Sequence, residues 1–286
     1  MRRALVLGLG LALVPLSARA HHVPGHGASE GVRTINSLNG AGGRANTRVF
    51  LINEFIYTGF GLNPGVTNSL SVIGEYAPRA WFSLALQAPL LMFRAADTMG
   101  ETRVGYGDTR VQLRFTPHAR RLIHRVLTLG LNGSIPTRTV RLTVDPGPVG
   151  ALAPYVVFTR TYARWYWQTL ALSTVDMRRA GVAVDLGLSG QVGARLAGGK
   201  VNLGVGALFD TRLLTWCSLP GGGHEFCAGN RAGELYREIG TIRGTYLVAL
   251  AYNFHPRAAL VGSLQAPFTA KRDYTIGWSL GAQAFF

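Results

Sequence analysis

Residues Tyr274 to Phe286 present two different faces when read at every second position. One face is Tyr274, Ile276, Trp278, Leu280, Ala282, Ala284 and Phe286; the other is Thr275, Gly277, Ser279, Gly281, Gln283 and Phe285. A period of two is the period of a β-strand, because successive side chains leave a pleated sheet on opposite sides. The first face is apolar and carries aromatics at both ends. The second is small and mostly polar. A strand of a soluble sandwich also alternates, but its apolar face turns to a core and has no use for a terminal aromatic pair. A strand of a lipid-embedded barrel needs an oily outer face, aromatics at the two interfaces and a small polar lining.

The opening residues read differently. Arg2 and Arg3 precede an apolar run from Ala4 to Leu16, and Ala18-Arg19-Ala20 is a small-x-small cleavage site. This is the pattern of a secretory signal peptide over 1–20. The run is shorter than the roughly 20 apolar residues of a spanning helix. No longer apolar run follows, yet 48% of the chain is hydrophobic and 37 residues are glycine. Frequent glycine disfavours long helices and suits strands that bend and turn. Such a chain buries strands in a core or shows them to lipid. The formal charge is +15, and +12 without Arg2, Arg3 and Arg19 (15 − 3). In a cytoplasmic protein that excess suggests nucleic acid. No nucleic-acid motif accompanies it here, so no nucleic-acid partner is expected. Basic turns and loops facing lipid head groups and lipopolysaccharide are the simpler reading.

After a polar, glycine-rich arm over 21–46, twelve alternating segments follow: 47–59, 67–77, 80–90, 107–116, 125–135, 152–161, 163–174, 182–196, 199–210, 241–254, 257–267 and 273–286. Those at 47–59 and 163–174 alternate less cleanly, which leaves ten or fourteen strands as alternatives. The connections sort by parity. Short ones, such as Ala77-Pro78-Arg79, Thr161-Tyr162 and Ala197-Gly198-Gly199, alternate with mostly longer ones at 60–66, 91–106, 136–151, 175–181, 211–240 and 268–272. Bacterial barrels alternate short periplasmic turns with long external loops in this way. An open edge in hydrocarbon leaves backbone groups unpaired at several kcal/mol each, so the sheet must close. The fold expected over 47–286 is an all-β, antiparallel up-and-down transmembrane barrel of about 12 strands with both termini periplasmic.

Two resemblances support this. An amphipathic last strand ending on an aromatic is similar to the C-terminal signature of bacterial outer-membrane barrels, and implies an outer-membrane location and recognition by the barrel-assembly machinery. The stretch Val104-Gly105-Tyr106-Gly107-Asp108-Thr109-Arg110-Val111-Gln112-Leu113-Arg114-Phe115 and the later Gly133-Ser134-Ile135-Pro136-Thr137 resemble the family of outer-membrane proteins associated with the meta-cleavage pathway of phenol degradation. That family opens a strand on Gly-x-Gly-Asp and ends one on Pro-Thr-Gly; here Arg138 stands in place of the last glycine. The resemblance covers roughly Trp81 to Phe286 and implies a transporter-like barrel for hydrophobic or aromatic compounds.

If the apolar faces look outward, Glu54, Glu75, Arg110, Arg114, Asp185, Arg195, Lys200 and Asp210 line the lumen, with Asp108 near a mouth. Charged linings set ion and solute preference; in a narrow barrel they pair with one another and fill space. The function expected is passage of a small-molecule solute, with a plugged, surface-presenting barrel or a metal-linked outer-membrane protein using the histidine-rich N-terminal arm as the alternatives. Cys217 and Cys227 flank Gly221-Gly222-Gly223, and in an oxidising compartment a disulfide closing this loop is expected. His21, His22 and His26 follow the cleavage site, so a free amino terminus with imidazoles is a candidate Cu(II) or Ni(II) site, against the simpler reading of a solvated tail. No Gly-x-Ser-x-Gly elbow occurs, and His118, His124, His224 and His255 all fall in turns or loops, so neither catalysis nor a cofactor is expected. Tyr162 to Trp167 reads as an interfacial girdle in preference to a nucleotide-stacking surface.

Overall fold

The computed structural model describes residues 45–59, 65–95, 102–117, 124–139, 149–178, 181–217, 235–236, 242–269 and 275–286. They form β1 (Arg48–Thr58), β2 (Gly65–Arg79), β3 (Phe82–Ala95), β4 (Thr102–Tyr106), β5 (Thr109–Phe115), β6 (Arg125–Ile135), β7 (Gly150–Thr161), β8 (Trp165–Arg178), β9 (Gly181–Leu196), β10 (Val201–Cys217), β11 (Leu235–Tyr236), β12 (Ile242–His255), β13 (Ala258–Pro267) and β14 (Ile276–Phe285). Both β4 and β5 pair with β3 and make one interrupted strand, while the two-residue β11 only pairs with the end of β10. The remaining order is an antiparallel meander, and β14 returns to pair with β1, so twelve strands close into a barrel.

Closure runs the whole seam, from Arg48 opposite Phe285 to Tyr57 opposite Ile276. The amide of Phe286 extends it by donating to the Thr47 carbonyl at 3.0 Å. No backbone edge is left open at the seam, which is what a sheet in hydrocarbon requires.

Alternation decides which face meets lipid. Trp278 and Leu280 of β14, Leu188 and Val192 of β9, Val205 of β10 and Val248 and Leu250 of β12 are all among the exposed residues, while Ser279, Gln191, Asn202 and Ala249, at the alternate positions of the same strands, are buried. The oily residues therefore stand outside, the reverse of a water-soluble domain. Burying one large aliphatic side chain is worth about 1.5–3 kcal/mol, and here lipid supplies the burial. Aromatics mark both rims. At the short-turn end Trp81 meets Phe115 at 5.6 Å, Phe158 meets Trp167 at 5.1 Å and Tyr162 stacks on Trp165 at 3.9 Å. At the long-loop end Phe55 stacks on Trp278 at 5.4 Å, and Phe268 packs on Tyr246 and Phe209 at 4.3 and 5.7 Å.

The strands are longer than the alternation predicts. β9 and β10 run 16 and 17 residues, past the ~9–11 that cross a bilayer, so this side of the barrel rises above the membrane. The stretch 175–181 is accordingly no long loop: β8 runs to Arg178 and β9 starts at Gly181. Likewise 91–106 is mostly strand, at the end of β3 and in β4. The inner face also differs from a uniformly small and polar lining. Phe50, Ile52, Ile73, Ala85, Ala251 and Val261 form a buried apolar cluster inside it. Segment 47–59, which supplies Phe50 and Ile52, alternates less cleanly because both of its faces carry apolar residues.

Candidate pore lining

Near the short-turn end three inward-facing charges meet. Glu75 accepts from Arg48 Nε at 2.8 Å, pairs with Arg114 Nη1 at 3.2 Å, and accepts from Ser83 Oγ at 2.7 Å. Arg48 Nη1 also donates to Gln283 at 3.1 Å, and so ties the first strand to the last. Gln112 extends the network, donating to the Tyr155 hydroxyl at 2.7 Å and accepting from Arg114 at 3.4 Å. The side chains of Glu75 and Arg114 are each 1% exposed. Ion pairs that dry hold only when nearly every polar atom has a partner. The register brings the trio together: Arg48 lies opposite Glu75 on β1–β2, and Glu75 opposite Ala85 on β2–β3, one inward position from Ser83.

Two inward tyrosines lie flat against the wall. A Cβ at Gly130 would overlap the Tyr155 ring, and one at Gly193 the Tyr166 ring. Tyr166 also crosses Gly204 on the next strand and accepts from Gln191 Nε2 at 3.1 Å. Glycine is required at these positions for close approach, and the ring restores the packing that glycine forfeits.

Toward the long-loop end a second group of charges lines β8 to β12. Arg212 Nε meets Asp185 at 3.0 Å, Arg243 pairs with Asp210 and reaches Asp185 at 3.9 Å, and Asp176 is buried on the neighbouring strand. β10 is the sixth strand round from β3 in the ring of twelve, so Asp210 and Arg212 stand across the lumen from β3, where Leu91 and Phe93 point inward and are buried. Arg212 and Asp176 are not evident as lumen residues in the sequence, because their strands continue into what reads as loop; Arg243 lies within the expected segment 241–254 but is not among the lining charges read from it.

Of the other lumen candidates, Arg110 faces inward and is buried, and Glu54 faces inward beside Ile52. Arg195 faces inward at the short-turn rim and donates to the Tyr162 carbonyl at 3.4 Å. Lys200 departs from the expected lining: it caps the 3-10 turn Ala197–Gly199, off the strand, and its side chain is exposed. Gly198 has φ 66° there, and the left-handed turn takes Lys200 out of the alternation. Asp108 is buried in the break between β4 and β5 and pairs with Arg138 Nη2 at 3.1 Å. Thr137 accepts from the Thr109 amide at 2.8 Å and donates to the Gly107 carbonyl at 3.1 Å. The Gly-x-Gly-Asp and Pro-Thr stretches are thus one contact, and Arg138 supplies the cation for Asp108. The Gly-x-Gly-Asp stretch interrupts a strand, where the sequence reading has it opening one. His21, His22, His26 and Cys227 lie outside the described residues, as does the Cys217 side chain.

This barrel is similar to two solved structures. One is an outer membrane channel from Pseudomonas putida F1, with TM-score 0.58 and 11% identity over 85% of this chain and 96% of that one. The other is the NanC porin, with TM-score 0.52 and 6% identity over 83% of this chain and 99% of that one. The chain has the fold of an outer-membrane channel. No protein-family profile matches its sequence, and no curated protein matches it either. At these identities the likeness speaks for the barrel fold alone, while the lumen must be read from this chain's own residues.

Proposed function

We propose that the protein is an outer-membrane channel for small solutes, with both termini periplasmic and the short turns on that side. The observation that carries this reading is the two-sided lumen. Paired aspartates and arginines line β8 to β12, while Leu91 and Phe93 face them from β3. Fixed charges facing two inward apolar side chains suit a compact solute with a polar end and an aromatic or aliphatic body. The resemblance to barrels associated with phenol degradation points to the same solute class. Both neighbouring structures are described as a channel or a porin.

Flux tests it. The purified, folded barrel in liposomes should pass small aromatic acids and alcohols faster than sugars of similar size. In planar bilayers, Asp185→Asn with Asp210→Asn should lower the preference for cations. A barrel giving no channel steps and no flux of any solute would sink the reading and leave a plugged, surface-presenting barrel in its place.

A further inference from the structure

The outer face of the barrel carries a cationic pair at the short-turn rim. Arg125 at the start of β6 and Arg160 near the end of β7 are direct register partners. Both point outward, since Val126 and Thr159 beside them are buried inside the barrel. Like charges directly opposite on neighbouring strands repel. Among the described residues no carboxylate pairs with either. The only acidic residue between 109 and 175 is Asp145, which falls between β6 and β7 in the sequence. Among the described residues no ion pair involves Arg125, Arg160 or Arg164, and Arg164 stands exposed in the adjacent turn.

The surroundings specify what belongs there. One outward rung further in, Leu127 faces Phe158, so the surface changes from charged to apolar within a single step. That is the boundary between head groups and hydrocarbon. The Arg160 guanidinium lies over the Tyr162 ring at 4.9 Å, and Tyr162 stacks on Trp165. Aromatics of this kind anchor at the head-group level. They hold one arginine at that depth, while the guanidinium fork matches phosphate oxygens.

We propose that Arg125 and Arg160, with Arg164 beside them, bind the phosphate head group of an anionic phospholipid. Its acyl chains run down the outward rungs of β6 and β7. The anion removes the repulsion between the two guanidiniums, and the lipid becomes part of the folded barrel. The site is independent of whether the lumen conducts.

Native mass spectrometry of the full-length barrel tests this. The barrel is released from phosphatidylcholine nanodiscs doped with phosphatidylglycerol, and its folding is checked by gel migration without heating. Wild type should retain phosphatidylglycerol in preference to phosphatidylcholine. Arg125→Gln with Arg160→Gln should bind it roughly thirty-fold more weakly, at about 1 kcal/mol per cation near a surface and 1.4 kcal/mol per tenfold. Arg79→Gln with Arg257→Gln, on two other short turns, should retain it. Should the glutamine pair fail to fold, Arg125→Lys with Arg160→Lys keeps the charge and removes the fork, and should show a smaller loss. Equal retention by the wild type and the Arg125/Arg160 variant would overturn the site, as would equal retention of the two lipids. Full displacement by excess inorganic phosphate, or selective retention of lipopolysaccharide instead, would overturn the assignment to phospholipid.

Discussion

Replacing Glu75 by glutamine keeps the size of the side chain and removes its charge. In the barrel that carboxylate neutralises both Arg48 and Arg114, whose side chains are 5% and 1% exposed. At an effective dielectric of about 20, one unit pair at 4 Å is worth about 4 kcal/mol. Removing one partner of a buried pair costs about 3–5 kcal/mol, because the survivor stays buried without its counter-charge. Two cations depend on Glu75, and Ser83 and Arg48 both donate to it. Glu75→Gln is therefore expected near the upper end, about 4–5 kcal/mol. Urea titration of the barrel folded in lipid vesicles measures this, followed by tryptophan fluorescence and by gel migration without heating. Arg114→Gln alone and the double variant complete the cycle. The double variant should be less destabilised than the sum of the singles by about 0.5–3 kcal/mol, the usual range for directly coupled residues. A loss below about 1 kcal/mol for Glu75→Gln would show a solvated carboxylate, as at a surface ion pair, and would refute the dry network.

Three further outcomes are expected. Gly193→Ala should cost about 1–3 kcal/mol by overpacking the Tyr166 ring, measured in the same titration, and Tyr166→Leu should recover part of it. Val205→Arg on the outer face of β10 should cost about 2–4 kcal/mol if it lies at the bilayer midplane, whereas Gln191→Arg on the inner face of β9 should cost less; the reverse ranking would turn the barrel inside out. If Cys217 and Cys227 are joined, protein folded under oxidising conditions should take up no thiol label until reduced, and a label on both cysteines of unreduced protein would exclude the pairing.

The last strand shows how much could be read directly. A two-residue period with aromatics at both ends has one low-energy environment, a sheet between lipid and a polar lining, so the barrel, its outward face and its approximate strand number follow from the order of residues alone. Loop parity is legible in part for the same reason, since a membrane separates one set of connections from the other, but 175–181, read as a longer connection, is almost all strand. The lumen was only partly legible. Glu75 and Arg114 read as inward from local alternation, but their meeting with Arg48 depends on register, which joins residues 27 and 235 positions apart across the sheet and its closing seam. Phe50 and Ile52 showed only as blurred alternation over 47–59, because an apolar residue inside a barrel looks in sequence like one outside. The ends of the strands escaped for a related reason: once β9 and β10 rise above the bilayer, water replaces lipid and the oily alternation that marks a strand is no longer required. Residue order by itself determined that this chain shows its apolar side chains to a membrane. Only closure of the barrel decided which charges neutralise one another and which, like Arg125 and Arg160, are left facing the bilayer edge as a pair, because pairings between distant strands are set by shear and register that no local pattern encodes.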